Sequence, residues 1–212
     1  MFHVITRDKI TYSFARNVKP CETVGSGDYI LFQTLDAHSG TVNIKTVWAD
    51  VPFPELDDNT GNPVTGPVFV EGAKSGKTLK VQILQILPDE RGILPVRSTI
   101  GVLRGVVPER TARVIKFTDN RVWISERVSV PARPMIGTIG VAPKKEAVAT
   151  AYPGSHGGNL DNNFVSVGAE IFFPVACEGA LIGLGDIHAA MGDGELTCGG
   201  ADICADVLVR VE

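Results

Sequence analysis

The chain is poor in cysteine, in charge of one sign, in long apolar runs and in helical periodicity, and each shortage excludes something. Its four cysteines are Cys21, Cys177, Cys198 and Cys204. They form no C-x-x-C pair and no dense spacing, which argues against a disulfide scaffold and fits a reducing cytosol. The formal net charge is −4, with acids and bases interspersed. No basic stripe is present, so nucleic acid is not an expected partner. No apolar run is long enough to span a bilayer, and the start MFHVIT lacks the basic lead and long apolar centre of a signal peptide. The expectation is a cytoplasmic protein that binds no membrane. No long stretch carries a 3.6-residue apolar period. The one short helix to expect is 144–148, confined by Pro143 and Pro153.

What the chain does have is punctuation. Its 23 glycines and 13 prolines fall singly between short apolar runs, the habit of an all-β chain. Alternating or β-branched patterns predict strands over 28–35, 68–70, 79–87, 113–118, 121–124, 169–175, 180–187 and 203–211. Thr118-Asp119-Asn120-Arg121 supplies the turn residues of a tight hairpin, and Lys74-Ser75-Gly76-Lys77 reads as a second turn. The fold class is therefore an all-β sandwich, of jelly-roll or CUB-like type, with long functional loops. Residues 1–212 are read as one domain, with 88–130 as the candidate subdivision. The run Ile203, Ala205, Val207, Val209, Val211 alternates up to the terminus without a turn signal. That leads us to expect a chain cut short of a fuller protein, with an apolar or unpaired flank on this strand.

The segment GDIHAAMGDGE (185–195) is the most informative. It places Asp186, His188, Asp193 and Glu195 directly after an apolar run. If that strand continues to His188, period-two alternation puts Ala180, Ile182, Leu184, Asp186 and His188 on one face. A buried carboxylate and imidazole need a partner, because unpaired buried charge costs several kcal/mol. A metal ion satisfies both; a structural Asp–His hydrogen bond is the blander alternative. Asp193 is first a turn residue.

Three further clusters hold polar residues. In the first, alternation aligns Phe32, Thr34, Asp36 and His38. The second, PGSHGGNLDNN (153–163), surrounds His156 with glycines that permit close approach or a sharp turn, although a solvent loop rich in Asn and Gly reads equally well. The third is CGGAD (198–202). His, Asp and Glu without cysteine pairs suit a catalytic zinc or a similar divalent ion, or two ions, rather than a closed structural site. Two decoys fall away. GAKSGKT (72–78) lacks the glycine spacing of a phosphate loop and leads into a strand rather than a helix. Cys198 has no identifiable basic neighbour to activate it.

The 185–195 segment resembles the signature of the acetamidase/formamidase family. So do LDAHSG (35–40), NPVTGPVFVEGA (62–73), GTIGVAP (137–143) and PGSHGGNLD (153–161), which occur in the family's order along nearly the whole chain. The resemblance implies a β-sandwich core, divalent-metal dependence and hydrolysis of short linear amides to a carboxylate and ammonia. Two departures stand out. Met191 occupies a position where many members carry Gln, which changes the polarity of the pocket. Members also usually continue past residue 212 with a small α/β region.

On this reading Asp36, Asp161, Asp186 and His188, with His156 as a further candidate, hold the ion and leave one position for water. Zinc is the first choice, with calcium or magnesium as a second ion. Glu195 is the candidate general base and then acid, so Glu195 and His188 are the catalytic pair. Gly157 and Gly158 offer backbone N–H groups to the oxyanion. Ala189, Ala190 and Met191 line a pocket for formamide- or acetamide-sized substrates. If Glu195 is a ligand instead, Asp161 or Asp202 is the next base to test. Edge strands suggest a homodimer or larger homo-oligomer. The rival readings are a non-catalytic relative that binds a metal or small ligand with the same residues, and an amidase using Cys198 as nucleophile.

Overall fold

Val81 and Ile83, like Val207 and Val209, are fully buried, and the residue between each pair is partly exposed. That alternation is what a sheet with one face on a core demands. The computed structural model describes residues 1–52, 61–97, 99–106 and 111–212. Among the described residues every regular element is a strand. Pairing is antiparallel except where Phe2–Ile5 joins Tyr29–Thr34 and where Glu22–Val24 joins Val64–Val70. The main sheet branches and does not close into a barrel. Its strands fold over a shared core that includes Ile30, Phe32, Val68, Val81, Ile136, Leu184 and Val207, giving the expected sandwich.

The predicted strands are present and several are longer than their apolar patterns. Val64–Val70 begins upstream of residue 68, and Thr78–Val96 runs for 19 residues across position 88. The hairpin at Asp119-Asn120 has φ of 53° at both residues, with Arg121 paired to Thr118, as a tight mirror-image turn requires. Three expectations change. Residues 144–146 form bends, and Val148–Ala149 is a short strand paired with Ser13–Phe14, so no helix forms there. The strand expected from residue 180 begins at Ile182, because Ala180 and Leu181 adopt φ of 55° and 59° in the preceding turn. The strand Asp202–Val211 has no unpaired flank: it lies between Tyr29–Thr34 and Thr78–Val96. Among the described residues no helix is long and apolar enough to cross a membrane.

One strand organises the site. Ile182–His188 is buried along its whole length. Along one edge it pairs with Met135–Gly140. Along the other it pairs first with Val64–Val70 and then, at His188, with Asp202. Met135–Gly140 was not legible in the sequence. It is buried on both faces and carries two glycines, so it shows no alternation.

Candidate active site

Asp186 and His188 emerge at the end of that central strand with Asp202 beside them. Asp186 has φ of 55°, so the regular alternation breaks at this residue. Its Oδ1 lies 3.3 Å from His188 Nε2, which is also 3.4 Å from Asp202 Oδ1. Its Oδ2 accepts hydrogen bonds from Asn62 Nδ2 at 3.0 Å and Thr138 Oγ1 at 3.2 Å. Asp161 arrives from the turn after Gly157–Asn159, and Gly137 makes room for it. A Cβ at residue 137 would lie 2.8 Å from both Asp161 Oδ1 and Asp186 Oδ2. Asp161, Asp186 and His188 each offer one ligand atom, all within 4.8 Å of one another. They line a cavity of about 300 Å³ together with Asn62, Arg97, Asn159, Glu195, Cys198 and Asp202. Asp161, Asp186, Glu195 and Cys198 all have φ between 40° and 55°. Such left-handed backbone at non-glycine residues costs about 1–3 kcal/mol each and gathers where function requires it.

The electrostatics of this cleft are dominated by buried and partly buried acids. Burial, reinforced by the charges of Asp186 and Glu195, pushes Asp161 up to about 8. Burial raises Asp202 well above the usual carboxylate range, and it raises Glu195 against the pull of His188. Burial also opposes charge on Asp186, but the His188 charge and hydrogen bond, with the Thr138 hydroxyl, outweigh it and hold that carboxyl low. For His188, burial is likewise outweighed by Asp186, Asp202 and Asp161, and the imidazole rises to about 10. Asp161 Oδ1 and Asp202 Oδ1 are buried without a hydrogen-bond partner among the described residues. Two carboxylates and an imidazole, with a third carboxylate 3.4 Å from the imidazole, fit a divalent cation.

The sequence profile of the acetamidase/formamidase family matches residues 6–151 and 144–212. The chain belongs to that family. A predicted acetamidase/formamidase from the thermophile Thermoanaerobacter tengcongensis superposes on all of the chain with a TM-score of 0.92 and 41% identity, and 69% of its own length is covered. An acetamidase from Bacillus halodurans superposes on 99% of the chain with a TM-score of 0.93 and 33% identity, and 70% of its length is covered. An acetamidase from Mycolicibacterium smegmatis is 38% identical over 77 residues, which are 36% of this chain and 19% of that protein. The chain spans between 19% and 60% of the length of the curated relatives it matches.

The family's signature segment thus supplies Asp186, His188 and Glu195 to one cleft, and the 153–161 segment supplies Asp161. The other expected site residues are elsewhere. Asp36 is buried but does not line the cleft; its Oδ1 accepts the backbone N–H groups of His38 (2.8 Å) and Gly40 (3.2 Å), fastening the turn after Thr34. His38, buried on that turn, places Nε2 3.8 Å from Asp202 Oδ2. His156 lines a separate cavity of about 360 Å³ with Ser75, Lys144 and Ser155, and its ring meets Phe14 edge-on at 5.2 Å. The cause is register. Gly157–Asn159 pairs with Thr138–Gly140, and His156 O accepts from Val141 N, beyond the Gly140 end, whereas Asp161 and Asp186 meet beside Gly137.

Gly157 and Gly158 do not line the cleft either. The Gly157 N–H donates to Gly154 O at 3.0 Å, and a Cβ at 157 would clash with Ile139 O, so its role is close strand packing. Met191 lines a neighbouring apolar cavity of about 260 Å³ with Leu94, Ile115 and Val122, and its sulfur touches the His188 ring. Sequence reasoning missed Arg97, Asn62 and Thr138. Arg97 sits in a segment without a motif. Asn62 and Thr138 fell inside recognised segments, but only the fold shows that both reach Asp186.

Proposed function

We propose that the protein hydrolyses short linear amides of the formamide and acetamide type, with a divalent cation, zinc first among the candidates, held by Asp161, Asp186 and His188. The observation that carries this reading is the meeting of those three ligand groups, all within 4.8 Å, in a cavity that also presents Glu195. Such a cation, when bound, lowers the pKa of water toward about 7 and polarises an amide carbonyl. Asn62 and Thr138 hold Asp186 from its Oδ2 side and leave Oδ1 toward His188. Glu195 lines the same cavity and is only partly buried, so its carboxylate can take a proton from the attacking water and pass it to the leaving nitrogen. Arg97 brings positive charge to the cavity, where negative charge develops on the carbonyl oxygen. Formamidase and acetamidase are also the names of the relatives aligned to about a third of the chain.

The experiment is ammonia release from formamide and acetamide by the purified chain, with elemental analysis of the same sample. The expected result is about one or two equivalents of metal and turnover that chelation abolishes and zinc restores. Turnover that survives chelation but is lost on alkylation of Cys198 would point to a thiol nucleophile instead. A metal-loaded sample without amide turnover would favour a binding protein.

A further inference from the structure

The two nitrogens of the His188 ring face opposite kinds of partner. Nε2 lies on the acidic side, 3.3 Å from Asp186 Oδ1 and 3.4 Å from Asp202 Oδ1. Nδ1 lies 3.3 Å from the sulfur of Met191. The imidazole is only 2% exposed, so bulk water does not compete for Nδ1. The ring is also clamped against backbone: a Cβ at Gly200 would lie 2.5 Å from its Cγ and Nδ1. Two hydrogen bonds, Ala189 N to Ala201 O and Ala201 N to Ala190 O, hold the two segments on either side of this contact together. Met191 itself spans two environments. Its side chain lines the apolar cavity formed by Leu94, Ile115 and Val122, while its sulfur reaches the imidazole. The thioether thus stands between the apolar cavity and Nδ1.

We propose that Met191 is the positioning residue of the metal centre: its sulfur accepts the Nδ1–H of His188 and so turns the Nε2 lone pair toward the cation site. The proposal rests on the metal reading above and adds a consequence for affinity. Ligating histidines ordinarily donate their second N–H to a carboxylate, carbonyl or water, which fixes the tautomer and raises the basicity of the ligand. A thioether is a weak acceptor. It sets the tautomer but enriches the ring little, so residue 191 tunes how tightly the site holds its ion. An oxygen acceptor at this position strengthens the hold, and an apolar residue of the same size weakens it.

Two variants of the full chain separate the sulfur's acceptor role from its packing. Met191→Leu keeps an apolar side chain beside the cavity and removes the acceptor; Met191→Gln keeps the length and supplies a carbonyl oxygen. Zinc alone is titrated against a chromogenic chelator, and the His188 ring nitrogens are followed by long-range proton–nitrogen NMR with and without zinc. For Met191→Leu we expect zinc affinity about 10- to 100-fold lower, the usual scale for loss of such a partner, and a shifted Nδ1 resonance. For Met191→Gln we expect affinity at or above that of the parent chain. Unchanged affinity and an unchanged Nδ1 signal in Met191→Leu overturn the proposal. So does a Gln variant that binds as poorly as the Leu variant, since packing alone would then be at work. If Met191→Leu does not fold, the Gln variant decides: weaker zinc binding than the parent overturns the proposal. If the parent chain takes up no zinc, the metal reading fails, and the Nδ1 signal of the metal-free variants still tests the Met191 contact.

Discussion

Asp186 Oδ1 and His188 Nε2 lie 3.3 Å apart, although one residue separates them on a strand that pairs along both edges. In a regular strand their Cα atoms stand roughly 6.5–7 Å apart along one face. The left-handed backbone at Asp186 interrupts that regular geometry at the carboxylate's own residue. The residue with the left-handed backbone is thus the one that carries the carboxylate of the Asp–His pair.

That pairing makes a direct prediction. Replacing His188 with Ala removes the imidazole donor and leaves Asp161, Asp186 and Asp202 as neighbouring acids without the ring they surround. Zinc content and amide turnover should be lost together. Elemental analysis of the purified variant checks the first and ammonia release the second. A variant that keeps both would remove His188 from the ligand set.

Gly137 offers a subtler test. Its backbone carries no left-handed φ, so an alanine there meets a packing problem and no conformational one. The added Cβ would lie 2.7 Å from Asp186 O and 2.8 Å from Asp161 Oδ1 and Asp186 Oδ2. Accommodating it should force the two carboxylates apart and lower zinc affinity, at a stability cost of about 1–3 kcal/mol typical of overpacking. Chelator competition reads the first and chemical denaturation the second. Wild-type affinity in a folded Gly137→Ala variant would show that Asp161 and Asp186 do not share an ion.

The sequence made the sandwich legible because period-two burial is local: Val81, Ile83, Val207 and Val209 announce themselves. It did not reveal Met135–Gly140, a strand buried on both faces, whose glycines carry no periodic signal. Asp186, His188 and Glu195 were legible because one short segment holds them all. Asp161 required the family resemblance as well. The placing of His156 failed for a physical reason. It lies five residues before Asp161, but strand pairing in between carries it past Gly140 into another cavity. Met191 was expected to wall the substrate pocket; its contact with Nδ1 of His188 depends on a turn that no spacing rule describes.

The far end of the molecule carries a pH dependence of its own. The ammonium group of Met1, the Gly25 N–H at 2.8 Å and the His3 ring at 3.1 Å all favour the charged form of Asp28. Together they lower its pKa from 3.8 to about 2. A depressed carboxylate contributes stability that is fully present above its unfolded pKa and is lost as pH falls through the folded one. The contribution should therefore fade between about pH 4 and pH 2. Carbon-detected NMR should place the Asp28 midpoint near 2, and Asp28→Asn should make the stability profile less steep in that window. A midpoint near 4 would mean that the ammonium contact does not persist in solution.

Glu195 separates ligation from proton transfer. It lines the cleft with Asp161, Asp186 and His188 but does not join their ligand cluster. Glu195→Gln keeps the size and hydrogen-bonding edge of the side chain and removes its capacity to accept a proton. Metal content should stay at the wild-type level, while turnover of formamide falls by roughly 10²–10⁴-fold, the usual scale for a lost general acid–base group. KM should change less, since the groups that hold the carbonyl remain. If the substitution strips the ion, Glu195 is a ligand, and the base must be sought among the remaining acids of the cleft, with Asp202 first because its Oδ1 is buried without a hydrogen-bond partner among the described residues. If turnover is untouched, proton transfer does not pass through Glu195, and the assignment of this cleft to amide hydrolysis loses its acid–base group.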